Sequence, residues 1–347
     1  GEILYNKLGL KGGKKGKSGL YSTSAAVLEK LSQDGNEICK LILNWRALQK
    51  LKSTYSDALV DQINSVTGRD HTHFQMTGAM TGRFSSSNPN LQNIPIKSED
   101  GRAIRRAFIA QKGMKIVACD YSQIELRLLA EVANIEPLIE AFKNNIDIHT
   151  LTASQVFMVN TDNVTSEMRR NAKTINFGII YGQSAFGLAK QLNISRTEAK
   201  EYIELYFKQY PGIKSYMENT QEFARKNGYV ETIYGRRCYI PSINDKNPMI
   251  RAGAERQAIN APLQGAAADI IKRSMKNFPE ILIKEKIDAK LILQVHDELI
   301  FECASIDLDR LIPIVKSKMI NAPKPGFNMK VPLEVEIGTG NNWDEAH

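Results

Sequence analysis

The sequence has little cysteine and no long hydrophobic run. Its four cysteines, at positions 39, 119, 238 and 303, are far apart and form no Cys-x-x-Cys pair. This spacing argues against structural zinc and a disulfide scaffold, and it favours a reducing compartment. No apolar stretch reaches the ~18–20 residues that a membrane span requires. The first 20 residues contain scattered lysines instead of the apolar block of a secretory signal.

Charge is present in both signs, with an excess of positive charge. The 347 residues include 46 Lys or Arg and 38 Asp or Glu, which gives a net charge of +8. Residues 1–60 hold ten of the basic and five of the acidic side chains, so +5 of the +8 lies in this segment. An excess of this size permits a polyanionic partner without proving one. The length is typical of two or three domains at ~150 residues each.

The hydrophobic pattern predicts an α+β fold with a central sheet, one helical insertion and one helical arm. Trp45 is expected to serve in helix packing. Residues 61–115 are rich in turn formers, and no regular structure is expected at 85–95. Asp162 and Ser166 are expected to cap a helix, and Pro211-Gly212 to end another. The predicted elements are helices at about 25–31, 37–59, 122–133, 169–181, 196–210 and 250–277, strands at about 115–119 and 331–337, and a hairpin at 291–302.

A basic, glycine-rich loop runs from Lys11 to Ser18. A nucleotide-binding P-loop needs Gly, four residues, and then Gly-Lys-Ser or Gly-Lys-Thr. Gly16-Lys17-Ser18 fits, but the position five before Gly16 is Lys11, and no strand precedes the loop. Two interpretations remain open from the residues alone: a solvated loop, and a clamp on a nucleic-acid backbone.

Two carboxylates stand where predicted strands end. Asp120 follows the strand at 115–119, and Asp297 lies at the turn of the hairpin. The plain interpretation makes Asp120 a helix cap and Asp297 a turn residue. The functional interpretation makes them the ligands of paired divalent metals, because carboxylate oxygens suit Mg²⁺ and two such ions catalyse phosphoryl transfer.

A stripe of four side chains follows one face of the helix at 169–181. Arg169, Lys173, Phe177 and Tyr181 are spaced by four, and each step turns the face by only ~40°. A core-facing helix explains Phe177 well but explains the two cations poorly, since these are rarely buried unpaired. A nucleoside triphosphate fits the stripe better, with its phosphates on the cations and its base on the aromatic rings.

These pieces resemble the motifs of family A DNA polymerases, the bacterial DNA polymerase I type. The resemblance covers essentially the whole chain in the family's order, including the ending Trp343-Asp-Glu-Ala-His347. The matching stretches are Thr81-Gly-Arg-Phe-Ser-Ser-Ser-Asn-Pro-Asn-Leu-Gln-Asn-Ile-Pro95, Asp120-Tyr-Ser-Gln-Ile-Glu-Leu-Arg127, Arg169-Arg-Asn-Ala-Lys-Thr-Ile-Asn-Phe-Gly-Ile-Ile-Tyr-Gly182, Ala254-Glu-Arg-Gln-Ala-Ile-Asn-Ala-Pro-Leu-Gln-Gly-Ala-Ala-Ala-Asp269 and Gln294-Val-His-Asp-Glu-Leu299.

The resemblance implies a right-hand fold with an antiparallel palm sheet, helical fingers and a partial helical thumb. The thumb would span residues 1–60, the first part of the palm 61–134, the fingers 135–250 and the second part of the palm 251–347. The chain would be a fragment that begins partway into the thumb. It would act as a DNA-directed DNA polymerase without nuclease activity, and grip DNA less firmly than a full thumb would.

The resemblance also implies roles for individual residues. Asp120, Asp297 and the carbonyl of Tyr121 would bind two Mg²⁺ ions, with Mn²⁺ as a substitute. Glu298 would join the two aspartates in the catalytic set, and Lys173 would protonate the leaving pyrophosphate. Glu125 would exclude a ribose hydroxyl through a clash and an unpaired carboxylate. The residues that would bind the incoming nucleotide are Arg169, Lys173, Phe177, Tyr181, His149, Gln123 and Glu125.

Primer and template contacts are implied in the same way. Arginine and glutamine can test base-pair geometry through minor-groove acceptors that every pair shows, and lysine contacts to phosphates make affinity fall with salt. Two departures from the family pattern are Gln75-Met-Thr-Gly-Ala-Met80 and Phe177, where the family often has Tyr. The DNA contacts would be Arg83, Asn90, Gln92, Asn93, Arg256, Asn260, Gln264, His296, Lys14, Lys15 and Lys17.

Several other functions are weighed against this one. They are a catalytically silent DNA-binding fragment, a single-subunit RNA polymerase and a P-loop ATPase, while His71 and His73 raise a weak case for a metal pair. The expected partners are primer-template DNA and deoxynucleoside triphosphates, with no membrane, for a chain that acts as a monomer. The expected location is the bacterial cytoplasm, in association with the nucleoid, with an organelle as the alternative.

Overall fold

A computed structural model describes residues 1–96 and 98–347 of the chain. The first 62 residues form a helical arm around a small core of Leu4, Tyr5, Leu28, Leu31 and Cys39. Its elements are a π-helical turn at Ile3–Lys7, helices α1 (Ala25–Gln33) and α2 (Glu37–Leu51), a second π-helical turn at Lys52–Ser56, and helix α3 (Asp57–Gln62).

The expectation for Trp45 is wrong. Its side chain is 63% exposed. Helix α2 turns Cys39, Ile42 and Leu43 toward the arm's core, and Trp45 lies on the uncovered side of the helix.

The turn-rich segment contains regular structure that the sequence analysis missed. Strand β1 (His73–Gln75) pairs antiparallel with β2 (Ser85–Ser87), and β2 lies inside the stretch 85–95 that was expected to be irregular. The buried Ser86 hydroxyl stabilises this pairing, since it accepts from Leu91 N at 2.9 Å and lies 2.6 Å from the Thr72 hydroxyl. Helix α4 (Glu99–Arg106) follows, capped by the Ser98 hydroxyl.

A buried strand and seven helices occupy the middle of the chain. Both predicted caps are wrong: the Thr165 hydroxyl caps α8, while Asp162 lies in a short 3-10 turn and Ser166 is already helical. Pro211 does more than end a helix, because it begins the next one at a position where its missing N–H costs nothing. The elements are β3 (Met114–Tyr121), α5 (Ile124–Val132), α6 (Glu136–Lys143), α7 (Ile148–Val156), α8 (Ser166–Ile180), α9 (Ala185–Leu192), α10 (Arg196–Gln209) and α11 (Pro211–Asn227).

The last third of the chain completes the sheet. A hairpin of β4 (Tyr229–Glu231) and β5 (Arg237–Tyr239) precedes α12 (Pro248–Lys284), which is longer than predicted and continues through Pro262 and Pro279. The hairpin predicted at 291–302 is present. The remaining elements are β6 (Ala289–Val295), β7 (Glu298–Ala304), α13 (Leu308–Ile320) and β8 (Val335–Gly340).

The final strand begins four residues later than the predicted position 331. Val331 and Leu333 are buried in the main core. Pro332 has no N–H to donate to a ladder, and its carbonyl accepts from Arg127 at 2.6 Å. The segment before Val335 therefore packs through side chains and is not part of the sheet.

The central sheet is antiparallel throughout, with strand order β6-β7-β3-β8. Alternate residues of β3 point to opposite faces. Val117, Cys119 and Tyr121 enter the main core, and Ile116 and Ala118 enter a second core with Trp343. The α+β prediction is thus confirmed. Within the described ranges, no helix has both the length and the apolarity needed to cross a membrane.

Candidate active site

Asp120 lies in a row of three acidic residues across the central sheet. In the antiparallel pairing, Asp120 is opposite Glu298 of β7 on one side and Glu336 of β8 on the other. Residues directly opposite in neighbouring strands share a face, so the three carboxylates meet on the face that carries Ile116 and Ala118. This like-charge arrangement is costly by itself and therefore calls for a function.

Asp297 is brought to the same place by the turn between β6 and β7. His296 adopts a left-handed backbone conformation with φ of 51°, which makes the tight turn. The Asp297 carbonyl accepts from Tyr121 N at 3.2 Å, so the turn is fastened to the end of β3. Both aspartates consequently line one cavity of about 520 Å³, as the functional interpretation requires.

The two aspartates hold their protons more tightly than usual. Burial, with the negative charges of Glu298 and Asp297, raises the pKa of Asp120 to about 7. Burial and the charge of Glu125 raise the pKa of Asp297 to about 6, against the opposing effect of Arg83. A divalent cation between them would relieve this cost, because it favours both ionised forms.

Glu125 is tied to two neighbours in the same cavity. It lies in the first turn of helix α5, is 7% exposed, and forms an ion pair with Arg83. Its other oxygen accepts from the Tyr181 hydroxyl at 2.6 Å. Arg83 also lies 3.9 Å from Asp297, so in this structure its guanidinium interacts with two carboxylates. The charges of Arg83 and Glu125 thus balance each other beside the aspartates.

The stripe predicted on helix α8 faces this cavity along its full length. Arg169, Lys173, Phe177 and Tyr181 all line it. The Arg169 guanidinium donates to Asp147 at 2.5 Å, while Lys173 makes no ion pair with any described residue. The rings of Phe177 and Tyr181 are stacked, with centroids 6.0 Å apart. The sequence analysis therefore placed all four side chains on the correct face.

His149 and Gln123 also line the cavity. Asn176 lies 3.1 Å from the Nδ1 of the buried His149, whose ring is 5.8 Å from that of Phe177. Burial lowers the pKa of His149 to about 4, so the imidazole is neutral at pH 7. The buried Gln123 Oε1 has no hydrogen-bond partner among residues 1–96 and 98–347. An orphaned buried oxygen beside a cavity marks a place for a ligand donor.

A second, larger cleft lies along the other side of α8. Its volume is about 870 Å³. Arg170, Lys173 and Arg256 supply positive charge to it, and Phe177 and Tyr181 separate it from the first cavity. Helix α8 thus lies between a cavity of mixed charge and a basic cleft, and Lys173 lines both.

The predicted DNA contacts fall into three groups, and only some reach the aspartates. Arg83, Gln92 and His296 meet at a small cavity, where Gln92 donates to the Gln294 carbonyl at 3.2 Å. On α12, Asn260 has a buried oxygen with no partner in the described part of the chain. The remaining predicted DNA contacts do not line the main cavity. They are Asn90, Asn93, Arg256, Gln264, Lys14, Lys15 and Lys17.

The donor set suits a hard divalent cation. Carboxylate oxygens are the ligands that Mg²⁺ prefers, and this ion commonly uses one or two of them plus substrate phosphates. The Asp120 carboxylate has no hydrogen bond or ion pair with any residue that the structure describes, so its oxygens are available. No group of three or more His, Cys, Asp or Glu side chains in 1–96 and 98–347 forms a ready metal cage. His71 instead lies 2.7 Å from the Thr67 hydroxyl.

Some residues near the site escaped the sequence analysis. The Asp147 carboxylate caps α7 by accepting from His149 N at 2.9 Å, and it also accepts from Arg169. The capping rule, applied to Asp147 just before the helix that carries His149, would have found it. Asn176 and Glu336 gave no local signal, because their roles depend on strand pairing and helix packing across long stretches of sequence.

Comparisons with known proteins agree with this geometry. The model of DNA polymerase family A matches residues 1–345. DNA polymerase I of Rhizobium leguminosarum is 51% identical over 349 residues, and that of Pseudomonas aeruginosa is 50% identical over 347. Both alignments cover 100% of this chain but only 34% and 38% of the relatives. The chain therefore spans little more than a third of their length.

One solved structure is also very similar. It is the POL domain of Pol1 from M. smegmatis in complex with DNA primer-template and dNTP, with a TM-score of 0.91 and 43% sequence identity. The alignment covers 99% of this chain and 60% of that chain. This likeness confirms the polymerase fold class that the sequence motifs implied.

Proposed function

Because the chain belongs to DNA polymerase family A, we propose that it is a template-directed DNA polymerase that extends a primer with deoxynucleotides. One observation carries this proposal: the two aspartates of the sheet and the four-residue stripe of α8 line a single cavity. That cavity offers an anionic end to metal ions and a cationic, aromatic end to a nucleoside triphosphate. The primer 3′-oxygen would form a bond to the α-phosphorus, and the bond to the leaving pyrophosphate would break.

Asp120 and Asp297, with the carbonyl of Tyr121, would hold two Mg²⁺ or Mn²⁺ ions. When bound, these ions would lower the pKa of the primer hydroxyl and stabilise negative charge on the leaving oxygen. The raised pKa values of both aspartates support this assignment, since a dication removes their mutual repulsion. Ionised aspartates are the form that would bind, so a bound cation would displace any proton held by either carboxyl.

The triphosphate would bind at the first two turns of the stripe. Lys173 is exposed and would donate to the β- and γ-phosphates, and then transfer a proton to the departing pyrophosphate. Arg169 would exchange its contact with Asp147 for a phosphate oxygen, or share its donors between them. The neutral His149 would donate a hydrogen bond without adding charge.

The sugar and base would lie against the aromatic half of the stripe. Phe177 would pack on the nucleotide, and Tyr181 would lie beside the template base and shift when the fingers close. Glu125 would occupy the space beside C2′, where a ribose hydroxyl would clash with it. The partnerless oxygen of Gln123 would accept a hydrogen bond from the bound nucleotide.

The duplex would be held from three sides. Arg83, Gln92 and His296 would contact the primer end, with Asn90 and Asn93 close by in the same loop. Arg256, Asn260 and Gln264 share one face of α12, since they are spaced by four, and would contact the template. Lys14, Lys15 and Lys17, in an exposed loop of the arm, would bind backbone phosphates.

The division into subdomains is part of the proposal. We assign residues 1–60 to the thumb, 61–134 and 251–347 to the palm, and 135–250 to the fingers. The chain would act as a monomer and without nuclease activity of its own. Four buried, unpaired cysteines and bacterial relatives support the bacterial cytoplasm as its location.

A catalytically silent DNA-binding fragment is the second candidate. Such a fragment would need neither the two aspartates nor the two cations of α8, and all four line the cavity here. The two candidates differ in one measurement, which is whether a bound primer is extended.

The test is primer extension on a recessed template with Mg²⁺ and four deoxynucleotides. Asp297→Asn keeps the shape of the side chain and removes its charge, and Glu222→Gln, on the exposed surface of α11, is the matched control. We expect extension by the parent and the control, and a rate at least ~10³-fold lower for Asp297→Asn. Fluorescence anisotropy should show that all three bind the duplex. Binding by the parent without extension would favour the silent fragment.

A further inference from the structure

Glu298 is held by two residues near the end of the chain. It is 4% exposed, and one of its oxygens, Oε1, lies 3.4 Å from the Trp343 indole nitrogen and 3.4 Å from the His347 Nδ1. Both contacts therefore converge on a single oxygen. The glutamate directly opposite Asp120 in the sheet is thereby tethered to a segment outside the predicted catalytic motifs.

Trp343 is itself fixed in place. Its ring is 2% exposed, packs edge-on against Phe108 with centroids 5.7 Å apart, and lies under the Arg105 guanidinium at 4.2 Å. Arg105 is 5% exposed and donates to the Ile94 carbonyl at 3.3 Å. A tryptophan packed in this way cannot swing, so its N–H is a rigid donor to Glu298.

The acidic residues at the site have different counter-charges. Arg83 pairs with Glu125 and lies near Asp297. His347 pairs with Glu298. Among the described residues, Asp120 and its other cross-strand neighbour Glu336 have neither a hydrogen bond nor an ion pair. An untethered Glu298 would be free to turn toward Asp120 and to share any cation bound there.

We infer that His347, with the indole of Trp343, acts as a positioning residue that anchors Glu298 and so reserves the metal site for Asp120 and Asp297. The inference rests on the proposed function for its catalytic consequence, but the anchoring itself does not. The charges agree with it: the hydrogen bond and charge of Glu298 raise the pKa of His347.

Removing the anchor should change metal affinity and the extension rate in opposite directions. In His347→Ala, one partner of Glu298 is lost and its carboxylate can reach the cation, so the ion should bind more tightly. The same extra ligand would hold the ion away from the reacting phosphate, so extension should slow. General damage to the fold would weaken both. A second-sphere change of this kind is typically worth ~10-fold.

The experiment measures Mn²⁺ affinity by electron paramagnetic resonance without DNA, and single-turnover extension at saturating Mg²⁺ and nucleotide. For His347→Ala we expect Mn²⁺ to bind about 3-fold or more tightly and extension to slow about 10-fold. His347→Gln, which keeps a donor, should extend within about 3-fold of the parent. His71→Ala, a change at an exposed histidine elsewhere, should match the parent in both measurements.

A double-mutant cycle tests whether His347 acts through Glu298. In a Glu298→Gln background, adding His347→Ala should change neither quantity further, because the anchored charge is already absent. Equal effects in both backgrounds, or weaker Mn²⁺ binding by His347→Ala, would overturn the inference. If the parent fails to extend primers while the Mn²⁺ cycle behaves as expected, the anchoring stands and the proposed function fails. If the parent extends and the cycle is additive, the inference alone fails.

Discussion

The Tyr181 hydroxyl donates a hydrogen bond of 2.6 Å to Glu125, and this bond joins the end of helix α8 to the start of helix α5. Tyr181 follows the last residue of α8 directly, and Glu125 lies in the first turn of α5. Any displacement of the C-terminal end of α8 must therefore stretch or break this bond. Glu125 of the proposed sugar filter and Tyr181 of the proposed base-stacking surface are therefore expected to move together.

Replacing Glu125 should weaken discrimination against ribonucleotides. Glu125→Ala removes both the bulk beside C2′ and the carboxylate that a ribose hydroxyl would displace from Tyr181 and Arg83. We expect ribonucleotide incorporation, relative to deoxynucleotide incorporation, to rise by about 10-fold or more. Competitive single-nucleotide extension measures the ratio, with Glu222→Ala on α11 as the control. An unchanged ratio would remove the steric role from Glu125.

A hydroxyl added to Phe177 should alter sugar recognition at the 3′ position. Phe177→Tyr places a donor beside the sugar, where it can replace the hydrogen bond that a dideoxynucleotide lacks. We expect dideoxynucleotide incorporation to rise by about 10-fold or more, with little change for ordinary deoxynucleotides. Chain-termination assays measure this, and Phe157→Tyr, on a ring packed against Tyr202, is the control. Equal termination by parent and variant would contradict the position proposed for the sugar.

Neutralising Asp120 should stabilise the metal-free protein, and the gain should depend on pH. The pKa of this carboxyl rises from 3.8 to about 7 on folding. Between these values the folded state binds more protons than the unfolded state, so this group lowers the free energy of unfolding as pH rises from 4 to 7. In Asp120→Asn the side chain cannot ionise, so this pH-dependent decrease in the free energy of unfolding is absent.

Scanning calorimetry in EDTA tests that expectation. The melting temperature of Asp120→Asn should exceed that of the parent by about 2–4 °C at pH 7.5. The difference should be near zero at pH 4. Glu222→Gln should show no comparable pH dependence. A variant that is equally or less stable than the parent at pH 7.5 would contradict the raised pKa of Asp120.

The lysines of the arm should contribute to duplex affinity in a salt-dependent way. Replacing Lys14, Lys15 and Lys17 with alanine should lower the slope of log affinity against log salt by about 2–3, at ~0.9 per lost phosphate contact. Anisotropy titrations between low and moderate salt measure the slope. A control triple variant at Lys316, Lys318 and Lys324, in and after α13, should retain the parent slope. An unchanged slope in the arm variant would make the loop a solvated one.

The sequence predicted the parts of the site whose geometry is local. A buried strand ending in Asp120, a hairpin turn at Asp297 and a helix with a four-residue stripe each follow from periodicity within a short window. The contacts between distant side chains could not be predicted in this way. Arg169 meets Asp147 only because α7 packs on α8, and Glu298 meets Trp343 only because the last turn of the chain folds over the sheet.

The errors in the fold prediction have a common origin. Pro262 and Pro279 normally argue against a helix interior, yet α12 continues through both and buries Pro262 in the protein. Helix α4 and the strand at Ser85–Ser87 lie in a stretch whose composition favours turns. In each case tertiary packing and hydroxyl hydrogen bonds outweigh local propensity, and neither can be seen in a single-sequence window.

The burial of all four cysteines has a practical consequence. Cys39, Cys119, Cys238 and Cys303 are each 0% exposed, and burial raises the pKa of all four thiols. Maleimide reagents require an accessible thiolate, so the native chain should label poorly while folded. One cysteine introduced on the outer surface of α9 would then carry a fluorophore alone. The movement proposed for the fingers could then be tested in real time on the otherwise unaltered chain.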